Sequence, residues 1–271
     1  MRIRSNFYRS SFWRRMILCW AASFLLVGFS VLADVLKGRA VAELGPLPVG
    51  VTLPVEVGKT LSAGKTKAGT VFTATTMQRI PVSEVWYLDR GATLRGEVVT
   101  STGGDGTVER PSVLVIRFTQ LSYHRQTVPI ATGALAVASR LAIDDTYLPV
   151  NPSFDQFTNN PANWTTRQVG GQLVARLGWD GPVGSEGHAM GSADYYGVYS
   201  MPTENDELQF PLAVGIFSTT AKGMYGYAHG TTLESSAGMI TITCPKRNGA
   251  LVRAGEQMLL EVVGLDKENS R

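Results

Sequence analysis

The sequence predicts an all-β protein, a sandwich or barrel of short antiparallel strands behind an N-terminal hydrophobic helix. Three observations predict it. Several short segments alternate apolar and polar residues with period two. Turn chemistry separates them at short intervals, and helical periodicity is scarce. Glycine is abundant at 29 of 271 residues while charged residues make up 17%, a balance that fits an exported β protein better than a helical cytosolic one.

The elements follow in order. Residues 16–33, "MILCWAASFLLVGFSVLA", carry no charge and stand behind Arg2, Arg4, Arg9, Arg14 and Arg15. A basic segment before such a run is an export signal. Val31 and Ala33 have the spacing a signal peptidase reads, which predicts cleavage after Ala33. A retained anchor is the alternative: the run is long for a cleaved signal, though short of the about 20 apolar residues that a membrane span needs. If uncleaved, residues 16–33 make the bacterial membrane a partner. The N-terminus stays in the cytoplasm either way.

Residues 34–50 are a connector with Pro46 and Pro48. Residues 51–143 form the first half of a β domain. "TVFTATTM" (70–77) and "SEVWYLD" (83–89) are rich in β-branched and aromatic residues. Residues 92–99 place Ala92, Leu94, Gly96 and Val98 on one face. Residues 111–120 do the same with Leu114, Ile116 and Phe118. The turn-rich link between these two strands predicts a hairpin. "HRQTVPIATG" reads as a further strand, with Pro129 marking an edge or bulge. Residues 134–143 read as a strand, although their alanines tolerate a helix.

Residues 144–207 read as a long loop and glycine-rich insertion. "FPLAVGIFSTT", "MITITC" and "EQMLLEVV" within 208–264 then complete the β domain, before a polar tail at 265–271. Cys244 alternates with Ile240 and Ile242 and reads as a buried thiol. Cys19 lies in the leader, so no disulfide is expected in the mature part.

The formal net charge of +3 comes from the leader: from Asp34 onward 20 basic residues face 22 acidic ones. No basic surface is implied by that balance, and no nucleic-acid partner is expected.

"VGKTLSAGKTKAGT" (57–70) repeats the tripeptide that ends a phosphate loop. Gly58 stands six residues before Gly64, one too many for that loop, and strand-like sequence follows instead of a helix. No nucleotide is expected. Lys59, Lys65 and Lys67 read as the solvated face of turns.

His124, His188 and His229 fall in different segments without metal-ligand spacing, so neither a metal site nor another cofactor is expected. His124 reads as an exposed hairpin residue. Asp144 and Asp145 read as a solvated turn. The candidate binding residues are Ser185, Glu186, His188, Asp194 and Tyr195, within "GPVGSEGHAMGSADYYG" (181–197). Nucleophile, base and acid types gather there, but catalysis needs them convergent in space. A polar loop is the simpler reading, and no catalytic residue is assigned. Trp86, Trp164, Trp179, Tyr195, Tyr196, Tyr199, Tyr225 and Tyr227 serve packing or sugar stacking, and packing is preferred.

Two stretches carry a resemblance. Leu53, Val55, Leu61, Ser62, Gly69, Thr70, Phe72, Ala74, Pro81, Val82, Gly91, Ala92, Leu94, Gly96 and Val98 match a cadence of exported bacterial β proteins. Over residues 53–99 this is similar to the outer-membrane β-barrel subunit of type IV secretion systems. The C-terminal stretch from "VGIFSTTAKGMYGY" to "EQMLLEVV" resembles an uncharacterised family of exported bacterial proteins. The resemblance implies compartment and fold. The expected function is a non-enzymatic structural or interaction β module of the bacterial envelope, with protein partners or a homo-oligomer. The alternatives are an oligomeric secretion-system barrel component, and a hydrolase or carbohydrate-binding protein using residues 181–197.

Overall fold

The computed structural model describes residues 44–147, 165–171, 174–176, 181–185, 188–202 and 207–264. The leader, its cleavage after Ala33, Glu186, Trp164 and Trp179 lie outside them. Over the described residues the protein is all-β, with one short helix.

The chain first forms β1 (Thr52–Val57), β2 (Leu61–Ser62), β3 (Val71–Thr76), β4 (Ile80–Pro81), β5 (Tyr87–Leu88), β6 (Thr93–Thr102), β7 (Ser112–Tyr123), β8 (Gln126–Pro129) and β9 (Thr132–Ala138). Helix α1 (Arg140–Thr146) follows. Next come β10 (Thr165–Thr166), β11 (Val174–Arg176), β12 (Gly181–Ser185), β13 (His188–Asp194) and β14 (Gly197–Ser200). The chain ends in β15 (Gly223–Tyr225), β16 (Thr232–Ser236), β17 (Met239–Cys244), β18 (Leu251–Val252) and β19 (Gln257–Val262).

The main sheet runs β15-β9-β19-β1-β3-β6-β7-β17-β16, with β8 beside β7. Pairings are antiparallel except β15 with β9. The sheet is nearly closed, and the seam lies on the outer edge of β9. Residues 136–138 of that edge pair with β15. Ala134 instead meets Ser235 of β16: its N–H donates to Ser235 Oγ at 2.8 Å, and that hydroxyl donates back to its carbonyl at 3.1 Å. A side chain here stands in for ladder bonds between the first and last walls.

The alternating faces fill the interior. Leu94, Gly96 and Val98 of β6, Leu114, Ile116 and Phe118 of β7, and Phe72 and Ala74 of β3 point inward with Ile240, Ile242 and Cys244 of β17. Walls β9 and β19 are covered outside as well. Ala136, Ala138 and Leu259 pack there against Ile143, Val169, Phe217 and Ala221. The strip 212–218 covers β1: Thr52 Oγ1 donates to the Ala213 carbonyl at 2.6 Å, and Gly215 sits against Pro54.

The structure differs from the sequence reading in five places. Residues 134–143 are strand only to Ala138; the Ser139 side chain then caps α1 by accepting from Ala142 N–H. Asp144 and Asp145 therefore lie on a helix and pair with Arg140 and Arg167. The described residues between 165 and 200, read as part of a loop and insertion, build a five-stranded antiparallel sheet ordered β10-β11-β12-β13-β14. Residues 210–220 make isolated bridges at Ala213 and Phe217 but no regular strand, because Gly215 turns there at φ 59°. Of residues 83–89, only Tyr87 and Leu88 are strand.

Other expectations agree with the structure. The β6–β7 hairpin forms, Pro129 lies on the edge strand β8, and His124 sits exposed at the β7–β8 turn with φ 45°. Lys59, Lys65 and Lys67 are exposed on turns, with φ 72° at Gly64 and 78° at Gly69. The chain beyond Lys65 enters strand β3.

Candidate functional site

Polar and aromatic groups converge at one rim of the barrel, where the β4–β5 hairpin meets the β13–β14 turn. Residues 78–79 connect them. Gln78 reaches across with its carboxamide: Nε2 donates to the Val198 carbonyl at 2.9 Å, and Oε1 accepts from Val198 N–H at 3.2 Å. Gly197 leaves room for this, because a Cβ there would lie 2.5 Å from Gln78 Cδ. Arg79 N–H donates to the Tyr196 carbonyl at 3.2 Å.

The Arg79 guanidinium carbon lies 4.0 Å from the Tyr87 ring centroid and 4.8 Å from that of Tyr196. Both rings attract the cation. Asp89 adds a carboxylate 3.6 Å from Arg79 Nε and accepts from the Tyr123 hydroxyl at 2.7 Å. Burial, then that bond to Asp89, pushes the Tyr123 phenol above its usual range.

The tip is held by local hydrogen bonds. Asp194 Oδ1 accepts from the N–H groups of Tyr196 at 2.7 Å and Gly197 at 2.9 Å, an Asx-type turn. Tyr195 projects with 89% of its surface exposed, and Tyr196 with 52%. Their rings meet edge to face, centroids 5.4 Å apart. Tyr199, by contrast, is buried in the main core. Burial, then the nearby charge of Asp194, raises its phenol well above the usual range.

The predicted binding residues divide between two places. Ser185 and His188 are register partners at the β12–β13 hairpin. Asp194 and Tyr195 stand at the other end of β13, about 20 Å away at ~3.3 Å per residue. His188 is exposed, and no hydrogen bond joins it to a described acid. Asp194 is engaged in holding its own turn. The packing reading of the aromatics fits Tyr199, Trp86 and Tyr227, and it fails for Tyr195.

Gln78 and Arg79 escaped the sequence reading. They lie between two strand-like segments, and their partners are about 120 residues downstream. No short-range spacing announces such a pairing. Among the described residues no three His, Cys, Asp or Glu side chains form a metal-sized group. No family model, curated protein or solved structure matches the chain.

Proposed function

We propose that the chain is an exported bacterial envelope protein, a non-enzymatic interaction β module that engages a protein partner through the tyrosine–arginine rim. One observation carries this reading. Tyr195 and Tyr196 are presented on a turn fixed by Asp194, Gln78 and Arg79 rather than on a loose loop. Tyrosine and arginine are enriched at interface hot spots, and a preorganised turn loses little entropy on binding. The basic and apolar leader supports export. The separation of His188 from Asp194 weighs against a hydrolase at 181–197.

The reading is tested by quantitative capture from cell envelopes with the full chain and with Tyr195→Ala/Tyr196→Ala. A defined protein recovered with the wild type and lost with the variant supports it. Identical recoveries from both chains sink it. A homo-oligomer as the sole assembly would favour the secretion-barrel alternative.

A further inference from the structure

The strand ends opposite the tyrosine rim carry different chemistry. Loops 58–60, 63–70, 103–111, 245–250 and 253–256 meet there. Ala254 N–H donates to Thr60 Oγ1 at 3.1 Å, and Ala63 N–H to the Ala250 carbonyl at 2.9 Å. Gly64 N–H donates to Ser101 Oγ at 3.0 Å. A Cβ on Gly64 would lie 2.9 Å from Gly103 Cα and 3.0 Å from Asn248 Oδ1.

These loops expose Lys59, Lys65, Lys67, Arg110, Lys246, Arg247 and Arg253. Arg110 pairs with Asp105 at 4.0 Å and Arg253 with Glu256 at 3.3 Å. The other five have no ion-pair partner among the described residues, and Glu109 is the remaining exposed acid of the loops. The neighbouring α1 corner is balanced: Arg140 pairs with Asp144 and Arg167 with Asp145. Folding thus concentrates positive charge that the overall balance of 20 basic and 22 acidic residues conceals. The expectation of no basic surface is corrected here, because a net count averages over positions that the topology sorts. Val108 crowns loop 103–111 with 77% of its surface exposed.

We infer that this end of the barrel docks on an anionic lipid surface, with these five cations against phosphate headgroups and Val108 at the interface. Each basic side chain near such a surface adds attraction that salt screens. A single nucleic-acid strand is the weaker fit, since it calls for stacking aromatics and these loops contain none; a duplex, which needs only phosphate contacts, is an outcome of the test. The inference goes beyond the reading of the opposite rim and does not rest on it.

The test uses the full chain with vesicles of phosphatidylcholine alone or mixed with phosphatidylglycerol. The apolar leader contributes to both, so the readout is the preference for the anionic vesicles. The wild type shows that preference at low salt and loses it at high salt. The variant Lys59→Ser/Lys65→Ser/Lys67→Ser/Lys246→Ser/Arg247→Ser loses at least about tenfold of it. A preference absent in the wild type, or unchanged in the variant, overturns the inference. Equal affinity for a DNA duplex, lost in the same variant, overturns the assignment to lipid. Lysine acetylation of the wild type gives a second reading without mutation. Anionic vesicles should protect Lys59, Lys65, Lys67 and Lys246 more than zwitterionic ones, and equal labelling would contradict the proposal.

Discussion

Gly96 of β6 lies directly beneath the ring of Phe72 of β3: a Cβ on the glycine would stand 2.6 Å from Phe72 Cζ. The ring has little room to retreat, because it meets Phe118 edge-on with centroids 5.3 Å apart. Overpacking of this kind costs about 1–3 kcal/mol. Gly96→Ala should lower unfolding stability by that amount in urea titration. Adding Phe72→Leu should recover part of the loss. A neutral Gly96→Ala would show that the core at this point is looser than the geometry implies.

Glu256 is fully buried, yet its carboxylate is satisfied. It accepts from Tyr227 Oη at 2.6 Å, Arg253 N–H at 2.7 Å and Arg253 Nη1 at 3.3 Å. Burial, then the Glu256 charge, raises the Tyr227 phenol far above its usual range. Glu256→Ala leaves a half-buried hydroxyl and a backbone N–H without their acceptor, which costs about 1–3 kcal/mol. Denaturant midpoints should show a larger loss for Glu256→Ala than for Glu256→Gln, which retains an acceptor oxygen.

Glu261 of β19 is half-buried near Lys222. Burial raises its pKa, and Lys222 offsets this in part. A carboxyl raised on folding keeps its full stability below the unfolded value, about 4.3, and loses stability as pH rises through the folded one. Glu261→Gln should match the wild type in acid and exceed its Tm progressively toward neutral pH. A Tm difference independent of pH would contradict the assignment.

Gln78 closes two hydrogen bonds on Val198, so Gln78→Ala should loosen the β13–β14 turn without unfolding the barrel. A lost bond of about 1.4 kcal/mol corresponds to tenfold faster amide exchange. The Val198 amide should show it, while β6 and β7 amides stay unchanged. Uniform acceleration would mean that Gln78 supports the whole fold.

The barrel walls were legible because their signal is local. Leu94, Gly96 and Val98 alternate within one strand, and Ile240, Ile242 and Cys244 within another, and each set faces the core. The small sheet was not legible. Gly184 and Gly191 read as loop residues, yet each lies in a strand where a neighbouring backbone approaches too closely for a Cβ: His188 O stands 2.7 Å from that position at Gly184, and Tyr199 O fills it at Gly191. Of the rim, Asp194 and Tyr195 were legible as polar and aromatic residues on a turn. Arg79 was not, since its value lies in Tyr196 over a hundred residues away. The basic end was hidden for the same reason: the loops that carry Lys65 and Lys246 meet only through the β2–β18 pairing and the approach of Gly64 to Asn248.

The tyrosine rim is proposed here as the contact surface. Photo-crosslinking in the native cell envelope tests it most directly, with a benzophenone side chain at position 195 and, as control, at the 75%-exposed position 141 on α1. Position 195 should give a discrete adduct with another protein that is lost in Arg79→Ala, and position 141 should give none. No adduct from position 195, or the same adduct from both positions, would contradict it.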